Sequence, residues 1–499
     1  MLLYELFGRA GIFCPENAEN IEIRNIVTDS RQVTEDSLFI CIKGLKTDGH
    51  EYINQALEKG AAVIVAESVR DECVGGAAAI ILHENTRKVA ALLYNAFYGN
   101  PAEKLKIIGI TGTNGKTSTA TLLYEIFKEA NIPTGLIGTV CRLTADGRAL
   151  SPQNDPTRAN MTTPDPDELY RLLSEMAEDG VEYVIMEVSS HSLALHKVDG
   201  IEFDLAVFTN LTRDHLDFHK TVNEYYKAKR RLFDMSRRAL INVGGEFGKR
   251  LDAECPCPFF TCSVTDGDFC ALDVQRRGVG GSSYIHKGPY GELQINTPIC
   301  GDTAIENTLM AASVAQMYGI DGEIIKKAIS KAQGAKGRME RVDIDTDEFT
   351  VIIDYAHTPD ALERLLLSVR EIKPRKGSIT LLFGCGGERD RGKRRLMGAI
   401  ASRLADRVTV TADNSRGEET QAIIKDILKG IDKEKPFSVE PDRRRAIKIA
   451  VAEARDGDVI LLAGKGHEKY EINAEGIIPF DETEIVKEAF AERQRGKDG

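Results

Sequence analysis

Short apolar segments alternate along most of the chain with longer segments in which apolar residues recur every three or four positions. The first kind predicts buried strands and the second predicts amphipathic helices. In the middle of the chain, strands are predicted at 107–110, 181–186, 205–208 and 240–243, and helices at 117–130, 166–179 and 222–233. This alternation is typical of an α/β fold, in which a mostly parallel sheet carries helices on its faces.

The same kind of pattern continues on both sides of this region. Before it, strands are predicted at 21–29, 38–43 and 61–67, with one clear helix at 52–59 and a linker at 101–105. After it, strands at 351–353, 379–383, 408–411 and 459–462 alternate with helices at 359–372, 392–405, 419–431 and 443–453. Because 499 residues are too many for one ordinary core, we predict three α/β domains. These are a small N-terminal domain at 1–99, a central P-loop-type ATPase domain at 100–334 and a Rossmann-like domain at 335–499.

Composition narrows the classes of partner. The net charge of -12 is spread along the chain and argues against nucleic acid or an anionic membrane as a main partner. No apolar run reaches the ~18 residues that span a bilayer, and the N-terminus lacks the basic start of a secretion signal. Ten scattered cysteines are typical of a reducing cytoplasm. Cys255, Cys257 and Cys262 lie close together without a second pair at zinc spacing, so we interpret them as free thiols.

The most informative segment is KIIGITGTNGKTS, residues 106–118, a Gly-rich turn between a predicted strand and a predicted helix. Such a turn directs backbone N–H groups and the positive end of a helix dipole toward an anion. The glycine spacing is shorter than in the strict P-loop pattern, so a tight turn without a ligand is the alternative. A lysine followed by threonine and serine favours phosphate binding. The residues that would contact a nucleotide are Gly112, Thr113, Asn114, Gly115, Lys116, Thr117 and Ser118.

Two further polar groups follow predicted strands, where ligands bind in parallel sheets. Glu187 ends one strand and could hold the Mg²⁺ that bridges nucleotide phosphates, although a solvated strand-end acid is equally compatible with the pattern. His215 lies in NLTRDHLD after another strand and is either a metal ligand or a structural hydrogen-bond partner.

Several longer motifs occur in a fixed order: TGTNGKTS, EVSSHSLALHKVDG, TNLTRDHLDFH, GRMERV, DYAHTPDAL, GCGGERDRGKR, DNSRGE and AGKGHEKY. In this order they resemble the Mur ligase family over nearly the whole chain. The N-terminal phrases DSRQV and DGHEYI are similar to those of the tripeptide-forming members. The resemblance implies a cytoplasmic, monomeric ligase of peptidoglycan precursor synthesis that uses ATP and Mg²⁺. It would join meso-2,6-diaminopimelate to UDP-N-acetylmuramoyl-L-alanyl-D-glutamate through an acyl phosphate.

The resemblance also assigns roles to residues of the central region. It implies that Lys116 contacts the terminal phosphates, that Thr117 and Glu187 hold one Mg²⁺, and that His215 holds a second. Lys229 matches a lysine that the family carries as a carbamate, which would add a further metal-binding carboxylate. Taken alone, a lysine next to Arg230 and Arg231 is typical of a solvated helix face.

Three substrate sites follow from the same resemblance. The UDP-sugar residues would be Ser30, the loop at 45–47, Thr162, Thr163, Ser189 and Lys197, where the family usually has Arg in place of Lys197. The nucleoside of ATP would contact Asn307, Arg338 and Asp354. The residues for the incoming amino acid would be Arg389, Asp413, Asn414, Ser415, Arg416, Gly464 and Glu468.

Arg416 is the residue that would select the amino acid. Diaminopimelate has a second carboxylate at its far end, and a guanidinium recognises a carboxylate through two parallel hydrogen bonds. Family members that use diaminopimelate carry Asp-Asn-Pro-Arg, whereas lysine users lack the arginine; here Ser415 replaces the proline. Without the resemblance, Arg416 is typical of a surface residue at a helix start.

Three alternatives remain open. The first is the same ligase acting with L-lysine or another diamino acid. The second is a ligase for a different acid and amine, such as a folylpolyglutamate synthase, although TTPDP, DSRQV and DNSR argue against it. The third is a nucleotide-binding regulatory protein without ligase activity.

Overall fold

The computed structural model describes residues 1–44, 47–69, 79–150 and 161–497, which divide between Phe269 and Cys270 into two compact units. The predicted α/β class with mostly parallel sheets is confirmed in both units. The finer division at residues 99 and 334 stays a prediction. None of the helices in the described part of the chain has the length and hydropathy needed to cross a membrane.

The first unit begins with a four-stranded parallel sheet in the order β1-β2-β3-β4. Its elements are α1 (Leu3–Arg9), β1 (Asn25–Val27), β2 (Ser37–Ile40), α2 (Ile53–Glu58), β3 (Ala61–Ala66), β4 (Ala79–Leu82) and α3 (Thr86–Phe97). The prediction of a single helix here is wrong, because α1 and α3 form as well. Asn85 caps α3 by accepting a hydrogen bond from the Lys88 N–H, and the helix buries Val89 and Leu93 in the core.

The rest of this unit is a larger sheet with helices on its faces. Its elements are α4 (Pro101–Lys104), β5 (Lys106–Thr111), α5 (Lys116–Glu129), β6 (Thr134–Ile137), β7 (Arg142–Leu143), α6 (Pro166–Glu178), β8 (Tyr183–Glu187), α7 (Ser190–Ala194), β9 (Leu205–Phe208), α8 (Leu216–His219), α9 (Val222–Asp234), β10 (Ala239–Asn242), α10 (Glu246–Glu254) and β11 (Phe259–Ser263). The predicted linker at 101–105 is instead the short helix α4, which starts with proline in its first turn.

The strands that this unit contributes to the sheet follow the order β11-β10-β9-β5-β8-β6-β7, and of the pairs among them the β6–β7 pair is antiparallel. The central strand β5 lies between β8 and β9, with Ile110 opposite Glu187 and Thr111 opposite Phe208. Since these three strands are parallel and buried, their carboxyl ends meet at one edge. That edge carries the Gly-rich loop, Glu187 and the segment that begins at Thr209.

The second unit contains an antiparallel meander and two helices that the hydrophobic pattern did not predict. These elements are β12 (Phe269–Arg276), β13 (Ser282–Gly288), β14 (Gly291–Thr297), α11 (Asp302–Met317) and α12 (Gly322–Lys331). Tyr284 and His286 of β13 are buried and hydrogen-bond to Thr308 and Ser313 of α11. The meander therefore packs one of its faces against this helix.

The remainder of this unit is the predicted Rossmann-like sheet. Its elements are β15 (Glu340–Arg341), β16 (Thr350–Asp354), α13 (Pro359–Ile372), β17 (Ile379–Phe383), α14 (Gly392–Leu404), β18 (Arg407–Val410), α15 (Thr420–Leu428), β19 (Phe437–Val439), α16 (Arg443–Glu453), β20 (Val459–Ala463), β21 (Tyr470–Asn473), β22 (Gly476–Pro479) and α17 (Glu482–Lys497). The strand order is β15-β16-β20-β17-β18-β19, with β15 alone antiparallel to its neighbour. The loops that follow β16, β17, β18 and β20 share one edge, as expected from the sequence.

Candidate active site

The Gly-rich loop between β5 and α5 depends on two glycines with left-handed backbone. Gly112 has φ 156° and Gly115, which immediately precedes α5, has φ 85°. A Cβ on Gly112 would lie only 1.9 Å from Thr209 Oγ1, so a larger residue does not fit there. The loop therefore brings backbone N–H groups to the N-terminus of α5, where an anion is favoured.

The end of β9 holds this loop from the neighbouring strand. Asn210 accepts hydrogen bonds from the Thr113 N–H on its carbonyl oxygen and from the Asn114 N–H on Oδ1, both at 2.9 Å. Thr209 Oγ1 donates to the Asn114 carbonyl at 2.5 Å. The sequence analysis did not connect Asn210 or Thr209 to the loop. The adjacency of β9 and β5 is the signal that was missing.

Two lysine amines approach the Gly112 carbonyl oxygen. Lys116 Nζ donates to it at 2.8 Å and to the Thr113 carbonyl at 3.0 Å, while Lys229 Nζ donates to it at 2.7 Å. Lys229 is only 1% exposed, and its amine lies 4.6 Å from the centre of the Tyr225 ring. Burial, reinforced by the charge of Lys116, lowers the pKa of Lys229 well below its usual 10.5.

The interpretation of Lys229 as part of a solvated helix face is therefore wrong. Consecutive residues of an α-helix point about 100° apart, so Lys229 faces the loop while Arg230, the next residue of α9, is about one-third exposed at 34%. The neighbours of Lys229 in the sequence are basic, but whether Lys229 itself is buried depends on which face of α9 packs on β5.

Glu187, at the end of β8, is a buried acceptor beside the loop. It is 1% exposed and accepts hydrogen bonds from Thr117 Oγ1 at 2.9 Å, from the Thr139 N–H at 2.9 Å and from Thr139 Oγ1 at 3.1 Å. The alternative of a solvated strand-end acid is thus wrong. The sequence analysis missed Thr139, because its position along the chain does not indicate a contact with Glu187. That contact depends on the pairing of β6, which ends just before Thr139, with β8.

His215 lies on the other side of the loop, among aromatic rings. It has φ 52°, its side chain is 48% exposed, and its ring centre lies 4.9 Å from that of His191 and 6.0 Å from that of Tyr225. Its Nε2 is 3.7 Å from the Asp214 carboxylate. Nowhere in the described ranges do three His, Cys, Asp or Glu side chains converge on a metal site.

The candidate sugar-binding residues divide into two groups. Thr162, Thr163 and Ser189 gather around Glu187: the Thr162 hydroxyl lies 3.0 Å from Thr139 Oγ1, and Thr163 Oγ1 donates to the Glu187 carbonyl at 2.9 Å and accepts from the Ser189 N–H at 3.0 Å.

The other two candidates lie apart from this group. Lys197 forms an ion pair with Asp165 at 2.7 Å. Ser30 is buried at the end of β1, where its hydroxyl donates to Gln55 Oε1 at 2.7 Å. Of the loop at 45–47, residues 45 and 46 lie outside the described part of the chain.

In the second unit, two of the three candidate nucleoside contacts lie together. Asp354, at the end of β16, accepts hydrogen bonds from the N–H groups of Met339 and Ala356 at 2.8 and 2.9 Å. Burial raises the pKa of Asp354, and the Arg338 guanidinium opposes that shift. The same guanidinium lies 4.9 Å from the centre of the Tyr355 ring. Asn307 is buried within α11.

The loops after β18 and β20 bring together most candidate amino-acid contacts. Asn414 Nδ2 donates to Glu468 Oε2 at 2.8 Å, and Lys465 Nζ donates to Asn414 Oδ1 at 2.9 Å. Burial raises the pKa of Glu468. Gly464 has φ 117°, and a Cβ there would lie 3.1 Å from Asp413 Oδ2. Lys465, which sequence reasoning did not assign, fixes the orientation of the Asn414 amide.

Arg416 is not a surface residue at a helix start, because α15 begins only at Thr420. It has φ 51°, and its Nη1 donates to the carbonyls of Gly387 at 3.0 Å and Asn414 at 3.2 Å. Ser415, before it, is buried. Arg389 is exposed in the neighbouring loop, so Arg416 is the better fixed of the two guanidinium groups.

Known proteins match this chain over most of its length. Three descriptions match successive segments: "Mur ligase family, catalytic domain" at 22–98, "Mur ligase middle domain" at 110–315 and "Mur ligase, glutamate ligase domain" at 337–466. A UDP-N-acetylmuramoyl-L-alanyl-D-glutamate--2,6-diaminopimelate ligase of Clostridium acetobutylicum is 42% identical over 476 residues, covering 95% of this chain and 96% of that protein. The chain belongs to the Mur ligase family.

Two more Mur ligases extend the match to the full length. A UDP-N-acetylmuramoyl-L-alanyl-D-glutamate--2,6-diaminopimelate ligase of Syntrophomonas wolfei is 38% identical and covers 100% of both chains. A solved structure of a ligase with the same name superposes with a TM-score of 0.70 at 29% identity, covering 99% of this chain and all of the other. The family and the three-domain Mur ligase fold predicted from the motifs are confirmed.

Proposed function

We propose that this chain is an ATP-dependent ligase that joins meso-2,6-diaminopimelate to the D-glutamyl carboxylate of UDP-N-acetylmuramoyl-L-alanyl-D-glutamate. The observation that carries the proposal is the buried contact between Thr117 and Glu187 beside a Gly-rich loop. It occurs in a chain that matches diaminopimelate ligases over 95% of its length. The reaction is a step of peptidoglycan precursor synthesis.

The first unit would bind the phosphates of ATP. The N–H groups at the start of α5 would face the phosphate oxygens, and Lys116 would leave the loop carbonyls to contact the terminal phosphates. Thr117 and Glu187 offer hard oxygen ligands to one Mg²⁺, and His215 would hold a second ion. When bound, Mg²⁺ neutralises phosphate charge during transfer. Asn307, Arg338 and Asp354 would contact the nucleoside.

Lys229 would act as a carbamate. Burial, together with the charge of Lys116, lowers the pKa of this amine, which favours the neutral form that reacts with CO₂. The amine nitrogen would form a bond to the CO₂ carbon and lose one proton to solvent, which leaves a carboxylate in place of an ammonium. That carboxylate would lie next to the Gly112 carbonyl and Lys116, where it could orient the metal at the phosphates.

The chemistry would have two steps. The D-glutamyl carboxylate attacks the γ-phosphorus of ATP, which yields an acyl phosphate and ADP. The amine of the amino acid then attacks the acyl carbon, an amide bond forms, and inorganic phosphate leaves. The protein groups position these reactants and balance their charge. The nucleotide-sugar substrate would be positioned by Thr162, Thr163 and Ser189 near Glu187, with Ser30 and Lys197 as further contacts.

The choice of diaminopimelate rests on Arg416. Its guanidinium lies near Glu468 and Asn414, so a cation and a carboxylate are both available for a second amino-acid head. Asp413, Ser415, Gly464 and Arg389 would complete this site. Lysine has no distal carboxylate and would leave the guanidinium without its partner.

We also propose that the enzyme acts in the cytoplasm as a monomer. ATP and a nucleotide-linked precursor would be its substrates, and none of the nine cysteines within the described residues is in a disulfide bond, as is typical of a reducing cytoplasm. Size-exclusion chromatography with light scattering tests the monomeric state.

The deciding experiment measures phosphate release and product mass with ATP, Mg²⁺, the nucleotide-linked dipeptide and a panel of amines. We expect product and stoichiometric phosphate only when the dipeptide and diaminopimelate are both present. Nucleotide binding without phosphate release under these conditions would favour a regulatory protein and overturn the proposal. Turnover with a folate acceptor instead would favour the folylpolyglutamate alternative, and equal turnover with lysine would overturn the amino-acid assignment.

A further inference from the structure

The loop after β17 and the loop after β18 are joined backbone to backbone. The Gly387 N–H donates to the Asn414 carbonyl at 2.9 Å, and Arg416 Nη1 donates to the Gly387 carbonyl at 3.0 Å. A Cβ on Gly387 would lie 1.9 Å from the Ser415 carbonyl oxygen, so the approach requires glycine. The position of the Arg416 guanidinium therefore depends on how these two loops are held together.

A buried arginine, Arg394, connects these two loops. Arg394, in the first turn of α14, is fully buried and pairs with Glu418 through two hydrogen bonds: Nη2 to Oε1 at 3.0 Å and Nη1 to Oε2 at 3.1 Å. Its Nη1 also donates to Asp426 at 3.2 Å, and its Nη2 to the Gly386 carbonyl at 3.4 Å. The Arg394 guanidinium thus contacts the loop after β17, the end of the loop after β18, and helix α15.

Glu418 completes the connection in the opposite direction. Glu418 lies two residues beyond Arg416. It accepts a hydrogen bond at 2.6 Å from the N–H of Glu388, which belongs to the loop after β17. Its hydrogen bonds to Arg394 and to that N–H lower the pKa of Glu418 to about 2, so it stays ionised in the working pH range. The carboxylate is therefore a permanent acceptor between the loops.

The backbone of Arg416 needs such a restraint. A long side chain with φ 51° is in a sparsely populated conformation that persists only when its surroundings determine it. Ser415 does not fix its own φ as a proline would. The restraint is left to the hydrogen bonds of Arg416 to the Gly387 and Ile472 carbonyls and to the neighbouring Glu418, whose N–H donates to the Ser415 carbonyl. The Glu418 carboxylate is paired with the buried Arg394 and, at the surface, with Arg391.

We propose that Arg394 is a positioning residue for amino-acid selection: through Glu418 it holds the two loops at the spacing that directs Arg416 to the far carboxylate of diaminopimelate. This inference rests on the proposed function. A purely structural role predicts instead that loss of Arg394 lowers stability while substrate preference stays unchanged. A buried ion pair is often neutral for stability, so its presence alone does not favour that explanation.

The test compares kcat/KM for meso-diaminopimelate and L-lysine in Arg394→Met, Arg394→Lys and Glu418→Gln. For Arg394→Met we expect KM for diaminopimelate to rise about tenfold or more, and the preference over lysine to fall by a similar factor. KM for ATP and for the dipeptide substrate should change less than about twofold. Arg394→Lys should recover part of the preference, because it restores the charge without the two-pronged pairing.

Arg493→Met is the matched control. Arg493 pairs with Glu348, just before β16, at 3.0 Å and donates a hydrogen bond to a backbone carbonyl near the end of α16, the helix that precedes β20. It therefore also forms a partly buried ion pair in the second unit. It has no contact with either loop and should leave the preference unchanged. If Arg394→Met is insoluble, Glu418→Gln decides the matter, because Glu418 is partly exposed and the substitution keeps its volume.

A double-mutant cycle with Arg416→Ala separates positioning from direct contact. If Arg394 acts through Arg416, Arg394→Met should cause no further loss of preference in the Arg416→Ala background. Unchanged preference in both soluble single variants, or fully additive losses in the cycle, would overturn the inference. These results are distinct from failure of the proposed function, which would be seen as absence of ligation by the unmodified enzyme.

Discussion

Lys229 Nζ donates a hydrogen bond to the Gly112 carbonyl oxygen at 2.7 Å, the same oxygen that accepts from Lys116 at 2.8 Å. Two ammonium groups sharing one acceptor in a buried site repel each other, and this repulsion adds to burial in lowering the pKa of Lys229. The loop that would bind phosphates is thus coupled directly to the lysine that would become a carbamate.

Lys229→Ala is expected to lower kcat by ~10²-fold or more, because the carbamate that would orient the metal is removed. Added short-chain carboxylates such as acetate should restore part of the rate by supplying a carboxylate to the same space. The measurement is phosphate release with and without the added carboxylate. Lys227→Ala, an exposed lysine on the same helix, is the control and should retain normal activity. Wild-type rates for Lys229→Ala would rule out the carbamate.

Lys116→Ala is expected to reduce turnover by ~10²-fold or more, because the transferring phosphoryl group loses its fixed cation. Steady-state phosphate release and ADP binding by calorimetry test this separately for chemistry and for affinity. Lys128→Ala, at the exposed end of the same helix α5, is the matched control. Near-normal kcat in Lys116→Ala would remove the phosphate-loop assignment.

Thr139→Val should raise the Mg²⁺ concentration required for half-maximal activity by roughly tenfold, because Glu187 loses one hydroxyl donor while keeping the backbone N–H of the same residue. Thr139→Ser keeps the hydroxyl and should behave as the unmodified enzyme. Titration of activity with Mg²⁺ at saturating ATP is the measurement. An identical Mg²⁺ dependence in Thr139→Val would show that Thr139 does not support a metal-binding carboxylate.

Arg416→Ala should abolish the preference for diaminopimelate over lysine, which we expect to be ~10³-fold in the unmodified enzyme, as for other sites that leave a buried polar group unpaired. The measurement is kcat/KM for both amino acids at fixed ATP and dipeptide. Arg389→Ala is the companion variant, and its exposed side chain should contribute less. A preference that survives in Arg416→Ala would place recognition of the distal carboxylate elsewhere.

The stability of the second unit should fall as the pH falls from 6.5 toward 4. Burial lowers the pKa of His286 from 6.5 to about 4, and that of His467 likewise, so both rings are neutral in the folded protein where the unfolded chain binds protons. The contribution is complete above pH 6.5 and declines below it, by about 2 kcal/mol per ring at pH 5. Urea unfolding at pH 7.5 and 5.0 measures it, and His286→Gln should reduce the difference. Equal stability of the unmodified protein at both values would contradict the burial argument.

Much of the fold follows from local pattern. The strand, Gly-rich turn and helix at 106–130 were predicted to within a residue or two, as were β16, β17, β18, β20, α13, α14 and α16 of the C-terminal region. Helix α15 ends three residues before its predicted end, and β15, β19, β21, β22 and α17 were not predicted. Helix α3 was missed because alanines weaken its apolar pattern, and the meander β12–β14 because its half-exposed strands lack long apolar runs. The nature of Glu187 as a strand-end acid was also visible in the sequence.

By itself, the sequence determined the α/β class, the strand, Gly-rich turn and helix at 106–130, and the family, because apolar periodicity and contiguous motifs are local properties of the chain. Tertiary structure decided that Lys229 is buried, that Thr139 and Asn210 hold the site, and that Arg394 joins the loops around Arg416. Each of these depends on which strands are neighbours and which helix face packs on the sheet. Contacts between residues 24 to 117 positions apart are set by that packing, and burial sets the pKa of the groups involved.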